Sequence, residues 1–261
     1  MFDFLTSLPI WMGVPVSVLV ACGAGVAAYA ISDRRISSAE SAVISDAAAS
    51  LFGIVGVALA LVLTLAFERV VDDWGEVEGA INAEAIAVSD TLGAFELYNS
   101  PDARSAQATL LAYVSAVIDD EWLALASDQL SERAGDSFRQ LVGEVLALTP
   151  ENQIRQDLRA SILDDIDAMS DARQERLNGA LAQPRVFYFL AFFAFLVTMV
   201  LFGAYESRPA LVVLVLIYAA FIGLTMHLIL AVSDPFQGVL GIDPDQLMAI
   251  LERQAAAGPG G

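Results

Sequence analysis

Glu68, Asp72 and Glu76 stand four residues apart, with Asp73 and Glu78 beside them. On a helix this spacing sets three carboxylates on one face. In a symmetric assembly such a face becomes a stack of carboxylate rings, the device by which cation pores concentrate ions. On a lone helix it is a solvated edge. His227, the single histidine, lies in a long apolar stretch close to Thr225. An ionisable ring in such surroundings is a candidate for an ion pathway, and a neutral imidazole hydrogen-bonded to a neighbouring helix is the plainer reading. Glu68, Asp72, Glu76 and His227 are therefore the ion-pathway candidates.

Other acidic runs offer less chemistry. Asp119, Asp120 and Glu121, and later Asp164, Asp165 and Asp167, lack the alternation and glycine of a calcium loop and read as surface charge. No nucleophile motif, phosphate-cradling glycine loop or cluster of metal ligands accompanies them. The sequence thus points away from an enzyme and implies no cofactor and no metal. Cys22 is the only cysteine, which rules out an intramolecular disulfide framework.

The elements that carry these residues follow from composition. The chain has 261 residues, of which 57% are hydrophobic, and its mean hydropathy of +0.62 exceeds that of ordinary soluble proteins. Four apolar stretches, Ile10 to Ile31, Ala47 to Phe67, Val186 to Tyr205 and Ala210 to Val232, reach the roughly 20 residues that a bilayer core requires. The segment before the first stretch has an acid and no base, unlike a secretory signal. The expected fold class is an all-α membrane protein with four transmembrane helices and a large helical domain inserted between the second and third spans. The expected divisions are 1–67, 68–185, 186–232 and a tail, 233–261.

Of the net charge of −19, −14 falls between Glu68 and Arg185, where 23 acids face 9 arginines. Such a surface repels phosphate backbones, so nucleic acid is excluded as a partner and inorganic cations are favoured. The lipid bilayer is the other expected partner. Arg34, Arg35 and Arg208 occupy short connections between spans, and short-loop arginines prefer the cytoplasm. This places both termini and the large domain outside the inner (cell) membrane, although Arg69 and Arg185 favour the reverse.

Within the inserted domain, Val70, Trp74, Val77, Ile81, Ala85, Val88, Leu92 and Phe95 recur every three or four residues. They mark one stripe of a long helix that continues the second span as far as Tyr98 without a proline. Ser100, Pro101 and Asp102 read as the start of a second helix reaching about Ser127. A shorter helix is expected around Phe138 to Leu148. Thr149, Pro150 and Glu151 read as another start, opening a helix with Ile154, Leu158, Ile162, Ile166 and Met169 on one face that ends near Ala182, before Pro184. A seam this long is hard to bury within one domain, so a homo-oligomer is expected.

The order of features resembles the bestrophin-like domain family of membrane proteins. The resemblance rests on Tyr113 with Asp120, Glu121 and Trp122; on Asp171, Arg173 and Arg176 in the run from Ser170 to Leu177; on Pro184; and on Pro235, Phe236 and Gly238 after the last span. Asn82, Ala83 and Glu84 stand where that family has a Glu-Ala-Asn type of pattern, and Ser233 and Asp234 where it has Asp-Arg. The resemblance implies an ion channel. For Asp120, Glu121, Trp122, Asp171, Arg173 and Arg176 the simpler role is structural: Arg173 and Arg176 share a helix face, and Glu121 or Asp120 pairs with them while Trp122 packs beneath. Pro235, Phe236 and Gly238 fit a chain turning along the membrane surface. The contrasting reading is a non-conducting envelope protein whose helical domain binds or senses a partner.

Overall fold

A computed structural model describes residues 10–36, 38–126, 129–181, 185–205, 209–233, 235–236 and 241–257. Ser127, Ala182, Pro184, Arg208, Asp234 and Gly238 lie outside them. The described residues are mainly helical and include no strand. In chain order the helices are α1 (Ile10–Arg35), α2 (Ser38–Tyr98), α3 (Pro101–Ala116), a π-helical turn (Val117–Glu121), α4 (Trp122–Leu125), α5 (Glu132–Ala147), α6 (Gln153–Leu181), α7 (Arg185–Phe202), α8 (Pro209–Val232) and α9 (Asp245–Ala257). Among them, Met12–Arg35, Val43–Tyr98 and Pro209–Val232 are long and apolar enough to cross a membrane, and Val186–Phe202 is apolar but shorter.

The chain divides into two compact units, one of Met1–Asp72 with Gln183–Leu240 and the other of Asp73–Ala182 with Gly241–Gly261. In the first unit α1 and α8 run antiparallel and close together. Small residues permit the approach: a Cβ on Gly223 would stand 2.6 Å from Ala21 Cβ and 3.1 Å from the Ser17 carbonyl oxygen, and one on Gly25 would stand 3.2 Å from Ala219 Cβ. Tyr29, Leu59, Phe195, Met199, Val215 and Ile222 are buried together. Leu51, Ile54, Leu61 and Leu65 of α2 stay exposed, as do Phe189, Phe193, Ile217 and Phe221.

The second unit is a bundle of the distal part of α2 with α3, α5, α6 and α9 around one apolar core. Val70 ends the first unit's share of the α2 stripe; Val77, Ile81, Ala85, Val88, Leu92 and Phe95 are buried in the second. Ser100 caps α3 by accepting from the Ala103 N–H at 3.1 Å, with Pro101 in the first turn. Two starts differ from the expectation. Helix α6 is capped not by Thr149 but by Asn152, whose Oδ1 accepts from the Arg155 N–H at 2.9 Å. Pro150 favours extended backbone at Thr149, and asparagine is among the best caps. Helix α5 begins six residues before Phe138, where Ser131 accepts from the Ala134 N–H at 3.2 Å. Ile154 is exposed rather than part of the buried α6 face, because it lies in the first turn; Ile162, Ile166 and Met169 carry that face inward.

Candidate functional site

The core of the second unit contains a group of polar side chains that a bundle of this size would be expected to exclude. Glu84, Glu121 and Arg176 are fully buried, at 0% exposure, and Tyr113 is equally enclosed. Each comes from a different element. Helix α2 supplies Glu84, from the stripe formed by Ile81, Ala85 and Val88; α3 supplies Tyr113; the π-helical turn supplies Glu121; and α6 supplies Arg173 and Arg176.

Arg176 links the two carboxylates. Its Nε donates to Glu84 Oε2 at 2.9 Å, and its Nη2 donates to Glu84 Oε1 at 3.3 Å and to Glu121 Oε1 at 2.8 Å. Arg173 donates to the same Glu121, from Nε to Oε1 at 3.3 Å and from Nη2 to Oε2 at 2.5 Å. The Tyr113 hydroxyl donates to Glu84 Oε1. Trp122 covers the group, its ring centroid 5.7 Å from Arg176 Cζ, and its Nε1–H donates to the Ile242 carbonyl at 3.2 Å. Two carboxylates and two guanidiniums balance around a neutral phenol. Burial, followed by the Glu84 charge, pushes the Tyr113 hydroxyl well above its ordinary value, so it stays protonated as a donor. Burial works against the charged forms of Arg173 and Arg176, but hydrogen bonds and charges from the glutamates outweigh it and raise both above the ordinary arginine value.

The π-helical turn decides which acid faces inward. Along a regular helix a residue seven positions on returns to within about 20° of the first, so Asp120 would lie in line with Tyr113 and Glu121 would point about 80° away. Instead the Trp122 N–H donates to the carbonyl of Val117, five residues back. That wider turn keeps Tyr113, Val117, Glu121 and Leu125 facing the core at intervals of four. Asp120 is left near the surface, where its Oδ2 accepts from Arg133 Nη1 at 3.0 Å. The pairing expected for "Glu121 or Asp120" therefore falls to Glu121. Asp171 is exposed and outside the network. Glu84 was overlooked as a site residue, although an acid on an apolar stripe was a readable signal.

All the carboxylate oxygens of this network face cationic or phenolic donors, so no free base or nucleophile is on offer. The arrangement fixes the register of α2, α3 and α6. Among the described residues no group of three or more acidic, histidine or cysteine side chains could hold a metal ion.

The ion-pathway candidates lie apart from this network. Glu68, Asp72 and Glu76 are exposed along α2. His227 is buried in the first unit, at 3% exposure, with Nδ1 2.9 Å from Ser17 Oγ. Its Nε2 is buried and has no hydrogen-bond partner among the described residues. Pro235 and Phe236 form a buried turn after α8, and Gly238 is outside the described residues.

No curated protein and no solved structure matches the chain. A family model for the Bestrophin-like domain matches residues 19–247, a span that includes every member of the buried network and His227 but not Ser17. The chain accordingly belongs to the Bestrophin-like domain family.

Proposed function

We propose that this chain is a homo-oligomeric ion channel of the inner (cell) membrane, with α1, the first part of α2, α7 and α8 as four spans and residues 68–185 as an inserted domain. The observation that carries the reading is the face of α2. Leu51, Ile54, Leu61 and Leu65 are left exposed by their own unit, and Glu68, Asp72 and Glu76 follow them on the same helix, also exposed. Copies arranged about an axis would enclose that face, with the apolar residues bounding a narrow path and the carboxylates forming rings at its mouth. Membership of the Bestrophin-like family supports channel activity, and the acidic rings favour cations over anions. Both termini and the inserted domain lie on the extracytoplasmic side in this reading.

Neutralisation of the stripe is its test. Planar-bilayer recordings of the reconstituted protein should lose conductance or cation selectivity when Glu68, Asp72 and Glu76 are all changed to glutamine. The loss should be largest at low salt, since carboxylate fields reach only about 8 Å at physiological ionic strength. Unchanged currents in the triple variant would remove the acidic path. A parent protein silent across voltage, pH and calcium would favour the non-conducting, partner-binding reading.

A further inference from the structure

The α1–α8 crossing joins an ionisable ring to a serine hydroxyl, and its geometry bears on more than packing. Ser17 and His227 meet across two antiparallel helices at 2.9 Å. Gly223, one turn before His227, brings the backbones so close that a Cβ there would be 3.1 Å from the Ser17 carbonyl oxygen and 3.3 Å from Val18 Cα. The ring is therefore enclosed by its own chain.

The surrounding elements offer little to balance a charge. On α1, Cys22 lies five residues beyond Ser17 with its Sγ 3.7 Å from the Leu216 carbonyl. On α7, Tyr188 packs with Ile229 and Leu230, the near neighbours of His227 on α8. On α2, Glu68 and Arg69 flank Ala66 and Val70 of that same apolar cluster, and both are exposed. Among the described residues the ring's polar contact is Ser17.

We propose that the Ser17–His227 pair is a proton-operated latch between α1 and α8. In the closed crossing the neutral ring shares one hydrogen with the serine at Nδ1. A second proton makes both ring nitrogens donors: Ser17 Oγ can accept from Nδ1–H, but the buried Nε2–H then has no acceptor among the described residues. Burying an unpaired charge costs far more than one hydrogen bond returns. Protonation and closure therefore exclude one another, and acid shifts the crossing open. The sign follows from linkage: closure is fully stable above the ordinary imidazole value of about 6.5, and each pH unit below it multiplies the open-to-closed ratio by up to about tenfold. This latch rests on the crossing alone and does not depend on conduction.

The test uses the chain's single histidine and records no current. Full-length protein labelled with ¹⁵N-histidine in lipid nanodiscs gives signals from one imidazole, and hydrogen exchange on matched samples, corrected for the intrinsic pH dependence, follows α1 and α8. The latch predicts that on acidification the ring protonates in step with lost protection around Ser17 and His227. The His227→Gln variant, which keeps hydrogen-bonding capacity without titrating, should show the same protection at every pH. A ring that stays neutral down to the acid limit of folding would overturn the latch, as would one that protonates with no change in exchange. Equal acid opening in His227→Gln would overturn it too.

Discussion

The two units answer the same requirement, a fixed register between helices, with opposite chemistry. In the first, α1 and α8 are held by glycines that let backbones touch, and the neutral Ser17–His227 pair crosses between them. In the second, three long elements are tied by a buried network of two carboxylates, two guanidiniums and a phenol. The difference teaches what each surrounding permits. Where apolar surface faces outward as readily as inward, hydrophobicity does not choose a register, and close packing of small residues does. Where water surrounds a bundle, burial drives collapse without specifying which turn meets which, and a paired charge buried at one position penalises every other register.

The largest expected effect breaks the second unit's device. Arg176→Ala would leave Glu84 and Glu121 buried without their shared cation, at a cost of about 3–5 kcal/mol. Hydrogen exchange of α6 amides should report this locally, while protection of α8 stays as before. A loss no greater than that of the exposed Arg139→Ala would mean that the network does not hold the bundle.

A smaller effect sharpens the contrast by adding one methyl group to each unit. At Gly223 the new Cβ would meet Ala21 Cβ at 2.6 Å with backbone close behind, whereas at Gly179 it would meet the end of a side chain, Val77 Cγ2. Overpacking costs about 1–3 kcal/mol, least where the neighbour can rotate away. Gly223→Ala should therefore loosen α1 and α8 more than Gly179→Ala loosens α2 and α6, as measured by exchange in each unit. The reverse order would contradict the role given to backbone approach.

The smallest effect concerns surface charge on the second unit. Burial, followed by the charges of Asp90 and Asp164, raises the Asp165 carboxyl above its ordinary value. A carboxyl raised in the folded state opposes folding once it ionises, so stability is lost as pH rises through its folded value. Asp165→Asn should slightly raise the melting temperature at neutral pH. The gain should shrink in high salt and vanish below about pH 3.9, the ordinary aspartate value.

Much of this architecture was legible from residue spacing. The α2 stripe, the Ser100 cap and the four apolar stretches are local patterns, and each can be read within a few turns. The α6 start was misplaced because Thr149-Pro150 imitates a cap, while the true one, Asn152, follows two residues later. The α5 start was missed because the residues from Glu132 to Ser137 include no large apolar side chain. The Arg173–Glu121 and Arg176–Glu121 pairings could be anticipated from shared helix faces, but the choice against Asp120 depends on a π-helical turn, which local propensity does not encode. Glu84 was visible as an acid among Ile81, Ala85 and Val88, yet its partner is 92 residues away. Ser17 gave no signal at all, since a serine in an apolar stretch acquires meaning only from the helix that crosses it.

In the proposed assembly, copies of this chain enclose a cation path. The most direct measurement is the reversal potential of the reconstituted protein in a planar bilayer under a potassium chloride gradient. A cation path gives currents that reverse near the potassium equilibrium potential, with the reversal shifting toward zero in the Glu68→Gln, Asp72→Gln, Glu76→Gln variant. Reversal at the chloride potential would contradict the cation path, and a bilayer that stays silent with correctly folded protein would contradict the channel itself.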